Sequence, residues 1–179
     1  KNKGRVITLE NYSVLMSVYY KEQAENLREA IDSILNQTVK TNEFIIVKDG
    51  PLTEKLDNTI KEYVEEYPGV FKIVTLKKNM GLAKALNKGI EQCSNEIIAR
   101  MDSDDISMPD RMERQLEAME ANRADILSGA IVEFDESVDK PTAKRELPEK
   151  NEQIIEFAKK RSPFNHPAVM YKKSAVLKS

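Results

Sequence analysis

Three carboxylates fall within four residues at Asp102-Ser103-Asp104-Asp105, directly after the apolar run Ile97-Ile98-Ala99-Arg100-Met101. Ionised carboxylates so close raise one another's free energy. A divalent cation relieves that repulsion, and hard oxygen ligands suit Mg2+ or Mn2+. A metal with open positions can then hold a diphosphate and stabilise charge developing on a departing phosphate oxygen. An Asp-x-Asp pair is by itself a weak signal, because acidic turns at helix starts are common for dipole reasons. Its place at the end of a strand gives it meaning.

Three other uses of such a cluster can be compared with the residues around it. A calcium loop starting at Asp102 puts Glu113 at its twelfth place, but Ile106 and Ser107 stand where a ligand and a glycine are needed, so that use fails. A phosphatase of the haloacid dehalogenase type carries its Asp-x-Asp after the first strand, with the first Asp as nucleophile; here the pair follows the fourth. A nucleotidylyltransferase needs a glycine-rich phosphate loop after strand one, where this chain has Tyr19-Tyr20-Lys21-Glu22.

The elements that must position the cluster follow from the apolar pattern. Strands are expected at 12–18, 44–47, 71–76 and 97–101, the first nearly continuous in apolar residues, as a strand buried on both faces requires. Between them the spacing predicts helices carrying Leu27, Ala30, Ile31, Ile34 and Leu35, then Leu56, Ile60, Tyr63, Val64 and Tyr67, then Leu82, Ala85, Leu86 and Ile90. Asp49-Gly50-Pro51, Pro68-Gly69 and Asn79-Met80-Gly81 supply the breaks. A fourth helix is expected to start at Pro109 and bury Met112, Leu116 and Met119. A further strand is read over 126–134, then a polar loop with Pro141 and Pro148. A helix capped by Asn151 follows, with Ile154, Ile155 and Ala158 inward, then a strand at 168–171 and a short helical start at Ser174.

Four successive β-α units argue for one α/β domain over residues 1–179, a Rossmann-like doubly wound, mostly parallel sheet. In such a sheet ligands bind outside the carboxyl ends of the strands, where strand order reverses. Tyr19-Tyr20-Lys21, Lys48-Asp49-Gly50, Lys77-Lys78-Asn79 and Asp102-Ser103-Asp104-Asp105 should therefore converge on one crevice.

Bulk properties narrow the partners. With 40% hydrophobic and 32% charged residues the chain has the balance of an ordered soluble domain, and a net charge of -2 gives no electrostatic case for nucleic acid. Residues 141–179 hold nine Lys/Arg against four Asp/Glu, enough for peripheral contact with anionic lipid at the inner face of a membrane, or for an ordinary solvated face. The single cysteine, Cys93, allows no internal disulfide, which fits a reducing cytoplasm. No apolar run reaches the roughly 20 residues that span a bilayer, and residues 1–10 lack the apolar region of a signal peptide.

The ordered motifs resemble family 2 glycosyltransferases: 13–20 followed by Leu35-Asn36-Gln37-Thr38, then 45–50, 79–89, 99–105 and Pro109-Asp110-Arg111. Asn165-His166-Pro167-Ala168-Val169-Met170 is similar to the bacterial exopolysaccharide branch, as in amylovoran biosynthesis. The resemblance implies a GT-A fold, a nucleotide-diphosphate sugar donor (a UDP-sugar), a divalent metal (Mn2+ or Mg2+), inversion at the anomeric carbon and a saccharide or lipid-linked acceptor. By position it implies that Tyr19 lies in the donor site, that Asp49 binds the base and that Asn79, Gly81 and Lys84 shape the nucleoside pocket. Asp102 then faces the ribose or sugar, while Asp104 holds the metal with Asp105 beside it. For His166 it implies a place at the pyrophosphate or the acceptor, against the alternative of a structural hydrogen-bonding group. Asp49 has an alternative too, a plain Asp-Gly turn.

Inverting transfer needs a base to deprotonate the acceptor hydroxyl. The family's base is an acidic residue downstream of the 168–171 strand, and beyond His166 this chain has no Asp or Glu. The expectation is a domain that binds donor, whose C-terminal acceptor part is truncated and whose base lies beyond Ser179. One histidine and no Gly-x-Ser-x-Gly elbow leave little room for a hydrolase triad. The alternative in a different class is a non-catalytic nucleotide-binding or partner-docking domain that kept the fold.

Overall fold

A computed structural model of the chain describes residues 10–135 and 140–177. The segment read for a signal peptide lies, apart from residue 10, outside the described residues. The expected β-α series is present: β1 Tyr12–Val18, α1 Ala24–Leu35, β2 Glu43–Lys48, α2 Glu54–Glu66, β3 Phe71–Thr75, α3 Leu82–Gln92, β4 Ile97–Met101 and α4 Arg111–Asn122. After α4 come β5 Ile126–Ser128, β6 Ile131–Phe134, β7 Pro141–Arg145, α5 Asn151–Ala158, a 3-10 turn His166–Ala168, β8 Val169–Lys172 and α6 Lys173–Leu177.

The main sheet runs β3-β2-β1-β4-β8-β5. β1 is parallel to β2 and β4, and β2 to β3, while β8 is antiparallel to both β4 and β5. The order reverses between β1 and β4, which puts the switch point between the carboxyl ends of these strands, at Val18 and Met101. Because β8 is antiparallel, with Met170 opposite Ala99, its entrance from the 3-10 turn also lies at the carboxyl end of β4.

Strand residues alternate between two cores, as the two-residue period requires. Val14, Met16, Phe44, Ile46, Ala99 and Met101 pack with Leu27, Ile31 and Ile34 of α1, Leu56 and Ile60 of α2, and Met112 and Leu116 of α4. Leu15, Ile45, Val47 and Ile98 pack with Ala85, Leu86 and Ile90 of α3. Most of these side chains are wholly removed from solvent, each worth about 1.5–3 kcal/mol. α3 sits so close that a Cβ on Gly89 would stand 2.2 Å from Leu15 Cδ1 and 2.8 Å from Val47 Cγ2.

Several boundaries correct the sequence reading. The strand expected over 126–134 is two: at Gly129 the chain leaves the main sheet, held by its N–H to the Ala168 carbonyl at 3.1 Å, and β6 then pairs with β7 instead. The loop read around Pro141 is therefore partly strand. α4 starts at Arg111, not Pro109, with Asp110 as its cap residue; the Pro109 carbonyl is taken by the N–H of Thr38 at 2.9 Å. Asn151 is the first residue of α5 rather than its cap, and no residue of that helix is buried. Ile155 is 56% exposed, because nothing described packs over that face. Leu82, read as inward, is 47% exposed in the first turn of α3.

Candidate functional site

Asp102 follows β4 and is taken by a partner the sequence reading assigned no role. Arg100 lies within a strand whose five residues are all buried, so its guanidinium requires a counter-ion. Side chains at i and i+2 share a strand face, and Arg100 grips both carboxylate oxygens of Asp102. Arg100 is 4% exposed, and its Nε–H has no acceptor. Arg111, at the start of α4, donates from Nη2 to the Arg100 carbonyl at 2.7 Å and from Nε to Gln115 Oε1 at 3.0 Å. Burial pulls the Arg111 guanidinium down to about 10, against the attraction of Asp105. Gln115 continues the chain of bonds, donating from Nε2 to the Ala168 carbonyl at 2.8 Å. β4, α4 and the 3-10 turn are thereby locked together behind the cluster.

Asp104 and Asp105 have no such partner. Burial, then the charges of Glu22 and Asp102, pushes the Asp104 carboxyl above the ordinary range. Burial, then Asp102 and Asp104, pushes Asp105 up to about 6. Ser103, between Asp102 and Asp104, is buried and donates its hydroxyl to Glu22 on the β1–α1 loop at 2.7 Å. Among the described residues no three His, Cys, Asp or Glu side chains are grouped so that they could hold a metal by themselves.

A second part of the edge joins β2 to the loop before α3. Asp49 is 3% exposed, and its two carboxylate oxygens accept the backbone N–H groups of Met80 (2.7 Å) and Gly81 (3.0 Å). The turn needs both glycines. Gly50 has φ +91, and a Cβ there would meet the Asn79 nitrogen at 2.6 Å; Gly81 has φ +84, a region open to glycine at little cost. Asn79 is exposed on this loop, and Lys84 is exposed in the first turn of α3. Tyr19 follows β1, 42% exposed and edge-on to Tyr20 with ring centroids 6.0 Å apart. His166 is exposed on the 3-10 turn. Its neighbour Asn165 is buried and donates from Nδ2 to the Gly129 carbonyl at 2.9 Å and the Arg145 carbonyl at 3.3 Å.

All the residues singled out from sequence thus lie on loops or turns at the carboxyl edge, or in the helix turn that follows one. The reading missed Arg100, Arg111, Glu22, Gln37 and Gln115. A cation inside an otherwise apolar strand, two residues before an aspartate, is a usable signal for Arg100; Glu22 meets Ser103 across 81 positions and Gln37 meets Ser107 across 70, which no local pattern reveals. Cys93 is buried at the C-terminal cap of α3, and burial holds its thiol up at about 11, so it stays protonated.

Residues 13–178 match the family described as Glycosyl transferase family 2. The amylovoran biosynthesis glycosyltransferase AmsE of Erwinia amylovora is 44% identical over 167 residues, covering 93% of this chain and 61% of the relative. The UDP-Gal:alpha-D-GlcNAc-diphosphoundecaprenol beta-1,3-galactosyltransferase of Escherichia coli is 40% identical over 168 residues, covering 93% and 60%. The chain therefore spans about 60% of the length of these curated relatives. Among solved structures, S. aureus TarS 1-349 in complex with UDP-GlcNAc superimposes with a TM-score of 0.67 at 18% identity, covering 94% of this chain and 47% of that one. The mannosyltransferase PcManGT from Pyrobaculum calidifontis, in complex with GDP-Man and Mn2+, gives 0.64 at 16% identity, covering 94% and 46%. Fold, motif order and sequence agree: this chain belongs to glycosyl transferase family 2.

Proposed function

We propose that the carboxyl-edge crevice binds a nucleotide-diphosphate sugar, a UDP-sugar, and that the whole protein transfers the sugar with inversion to a saccharide or lipid-linked acceptor in polysaccharide biosynthesis. The observation that carries this reading is the unequal treatment of three neighbouring carboxylates. Asp102 is neutralised by Arg100, while Asp104 and Asp105 are left with raised carboxyls at the switch point.

Such a pair fits one divalent cation. Mg2+ and Mn2+ bind through one or two carboxylates and complete their shells with water and substrate phosphates, so a cluster of three protein ligands is not required. Asp104 and Asp105 would hold the ion, and bound there it supplies Lewis-acid stabilisation of the leaving diphosphate. Asp102, fixed by Arg100, presents its carboxylate edge to the ribose or sugar. Asp49, expected from its motif position to bind the base, has both oxygens engaged by the N–H groups of Met80 and Gly81. Its part is therefore to shape the base pocket by holding that loop, while Asn79, Gly81 and Lys84 line the nucleoside side. Tyr19 and His166 close the crevice from β1 and from the 3-10 turn. No residue of this chain is assigned to deprotonating the acceptor; the acidic pair serves the donor.

Calorimetric titration with UDP tests the reading. With Mn2+ the wild type should bind, with chelator it should bind at least tenfold more weakly, and Asp104→Ala should abolish the metal dependence. Absence of UDP binding under both conditions would overturn it, and would favour a docking domain that kept only the fold.

A further inference from the structure

Nine residues, 102–110, join β4 to α4 without regular structure, and they include the proposed metal pair. Irregular loops exposed at a sheet edge are ordinarily among the more mobile parts of a domain. This one is gripped at both ends by residues that flank α1, joined at the rear by Ser33 of its last turn. At the front, Ser103 donates to Glu22 Oε2 at 2.7 Å, and Glu22 Oε1 is fixed in turn by the N–H of Gln23 at 2.8 Å and by Asn26 Nδ2 at 3.2 Å. At the rear, Gln37 is 1% exposed and spends its whole amide on this junction. Its Nε2 donates to the carbonyls of Ser33 and Met108, each at 2.8 Å, and lies 3.2 Å from Ser107 Oγ. Its Oε1 accepts the N–H of Met112 at 3.0 Å. The Ser107 N–H donates to Ser33 Oγ at 3.0 Å, and Thr38 takes the Pro109 carbonyl.

Between these two grips lie only Asp104, Asp105 and Ile106, none hydrogen-bonded to another element among the described residues. α1, a 12-residue helix about 18 Å long, acts as a rigid spacer that sets where both grips fall. Glu22 and Gln37 belong to no element that carries the carboxylates, and neither residue is a candidate ligand.

We propose that Glu22 and Gln37 are positioning residues which hold Asp104 and Asp105 in place before any ligand arrives, so that the metal–diphosphate site is pre-ordered by α1. This rests on the donor-binding reading above for its consequence, but not for its geometry. A loop fixed in advance loses little conformational entropy on binding, and that saving appears as affinity. A loop released at either grip must be ordered by the ligand itself.

Two measurements on the full chain test this. The first needs no ligand: the 15N heteronuclear NOE of Asp104, Asp105 and Ile106, which reports fast backbone motion. The wild type should give values like those of the adjoining β4, and Glu22→Ala should lower them markedly. Glu22→Gln should restore them, because the Ser103 hydroxyl can either donate to or accept from the new amide. The second is the affinity for UDP with Mn2+, which Glu22→Ala should weaken about tenfold, the equivalent of 1.4 kcal/mol. Gln37→Met should do at least as much. If Gln37→Met fails to fold, Ser33→Ala, which removes a single bond at the same grip, should lower the NOE of Ile106 and weaken binding about threefold, roughly half that free energy.

Unchanged NOE values in Glu22→Ala together with Gln37→Met or Ser33→Ala would overturn the proposal, as would a mobile loop in the wild type. A rigid wild-type loop that Glu22→Ala loosens, in a protein that binds no UDP, would uphold the grips and sink the donor reading instead.

Discussion

Carboxylates sit at both ends of the same sheet, and the fold treats the one at the amino edge and the pair at the carboxyl edge in opposite ways. At the amino edge, Glu43 accepts the hydroxyl of Ser13, the N–H of Ser94 at 2.8 Å and the Ser94 hydroxyl at 2.7 Å. Burial alone would raise its carboxyl, but those bonds and the nearby Lys72 outweigh it and hold it below the ordinary range. At the carboxyl edge, roughly 20 Å away along the strands, burial first and like-charged neighbours second hold Asp104 and Asp105 above it. The first arrangement joins β1, β2 and the loop before β4, and nothing remains for a ligand to do. The second leaves charge unbalanced where the strand order reverses, and raised carboxyls in that position are the pattern of a functional edge. Between the two extremes stands Asp102, at the carboxyl edge but neutralised by Arg100.

The largest effect that can break this contrast is at that intermediate case. Arg100→Met leaves Asp102 partly buried without its counter-ion, and loss of one partner of such a pair should cost about 3 kcal/mol. Adding Asp102→Asn to that variant should recover most of the loss; a double mutant no more stable than Arg100→Met in urea unfolding would show that the guanidinium is held by something other than this pair.

Glu43→Gln probes the satisfied edge. It removes a charged acceptor of three hydrogen bonds and should destabilise by about 1–3 kcal/mol at pH 7. Because the folded carboxyl lies below its unfolded value, the contribution is fully present above about pH 4.5. It is lost as pH falls through the folded pKa, so wild type and variant should converge in acid. Melting curves from pH 3 to 7 read this directly.

Asp105→Asn should do the reverse, with the smallest magnitude. A carboxyl held at about 6 when folded, against 3.8 unfolded, takes up protons on folding, so its effect is unfavourable at neutral pH and vanishes below about pH 4. Discounted for partial exposure, the gain is about 1 kcal/mol, or 2–4 °C in Tm for the metal-free protein at pH 8. Mn2+ with UDP should reverse the order of stability, since only the wild type keeps both carboxylates. If Asp105→Asn is destabilising in chelator at pH 8, the two edges do not differ as described.

Much of this was legible in the residues. The β-α alternation of the first 122 residues needed only period and punctuation, because strands buried on both faces and helices with one apolar stripe carry strong local patterns. The second half was harder. The run over 126–134 is apolar enough for one strand, and only the Ala168 carbonyl and the Asn165 side chain, distant in sequence, divide it at Gly129. The apolar stripe of α5 predicted a buried face, yet Ile155 stays exposed, since periodicity states which residues share a side and not what covers it.

Local pattern in the chain is enough for the fold class, the edge on which polar groups gather and the acidic cluster that heads it. These depend on short-range patterns and on the rule that parallel strands bring their carboxyl ends together. Tertiary structure alone decided which carboxylates are free. Asp49 was one more acidic turn until the chain brought Met80 and Gly81 to its two oxygens. Asp102, Asp104 and Asp105 are three of a kind in sequence, and Arg100, Glu22 and the ends of α1 make them different. Charge balance and hydrogen-bond satisfaction depend on which groups meet in space, and groups 81 positions apart in the chain, such as Glu22 and Ser103, meet only when the whole sheet has formed.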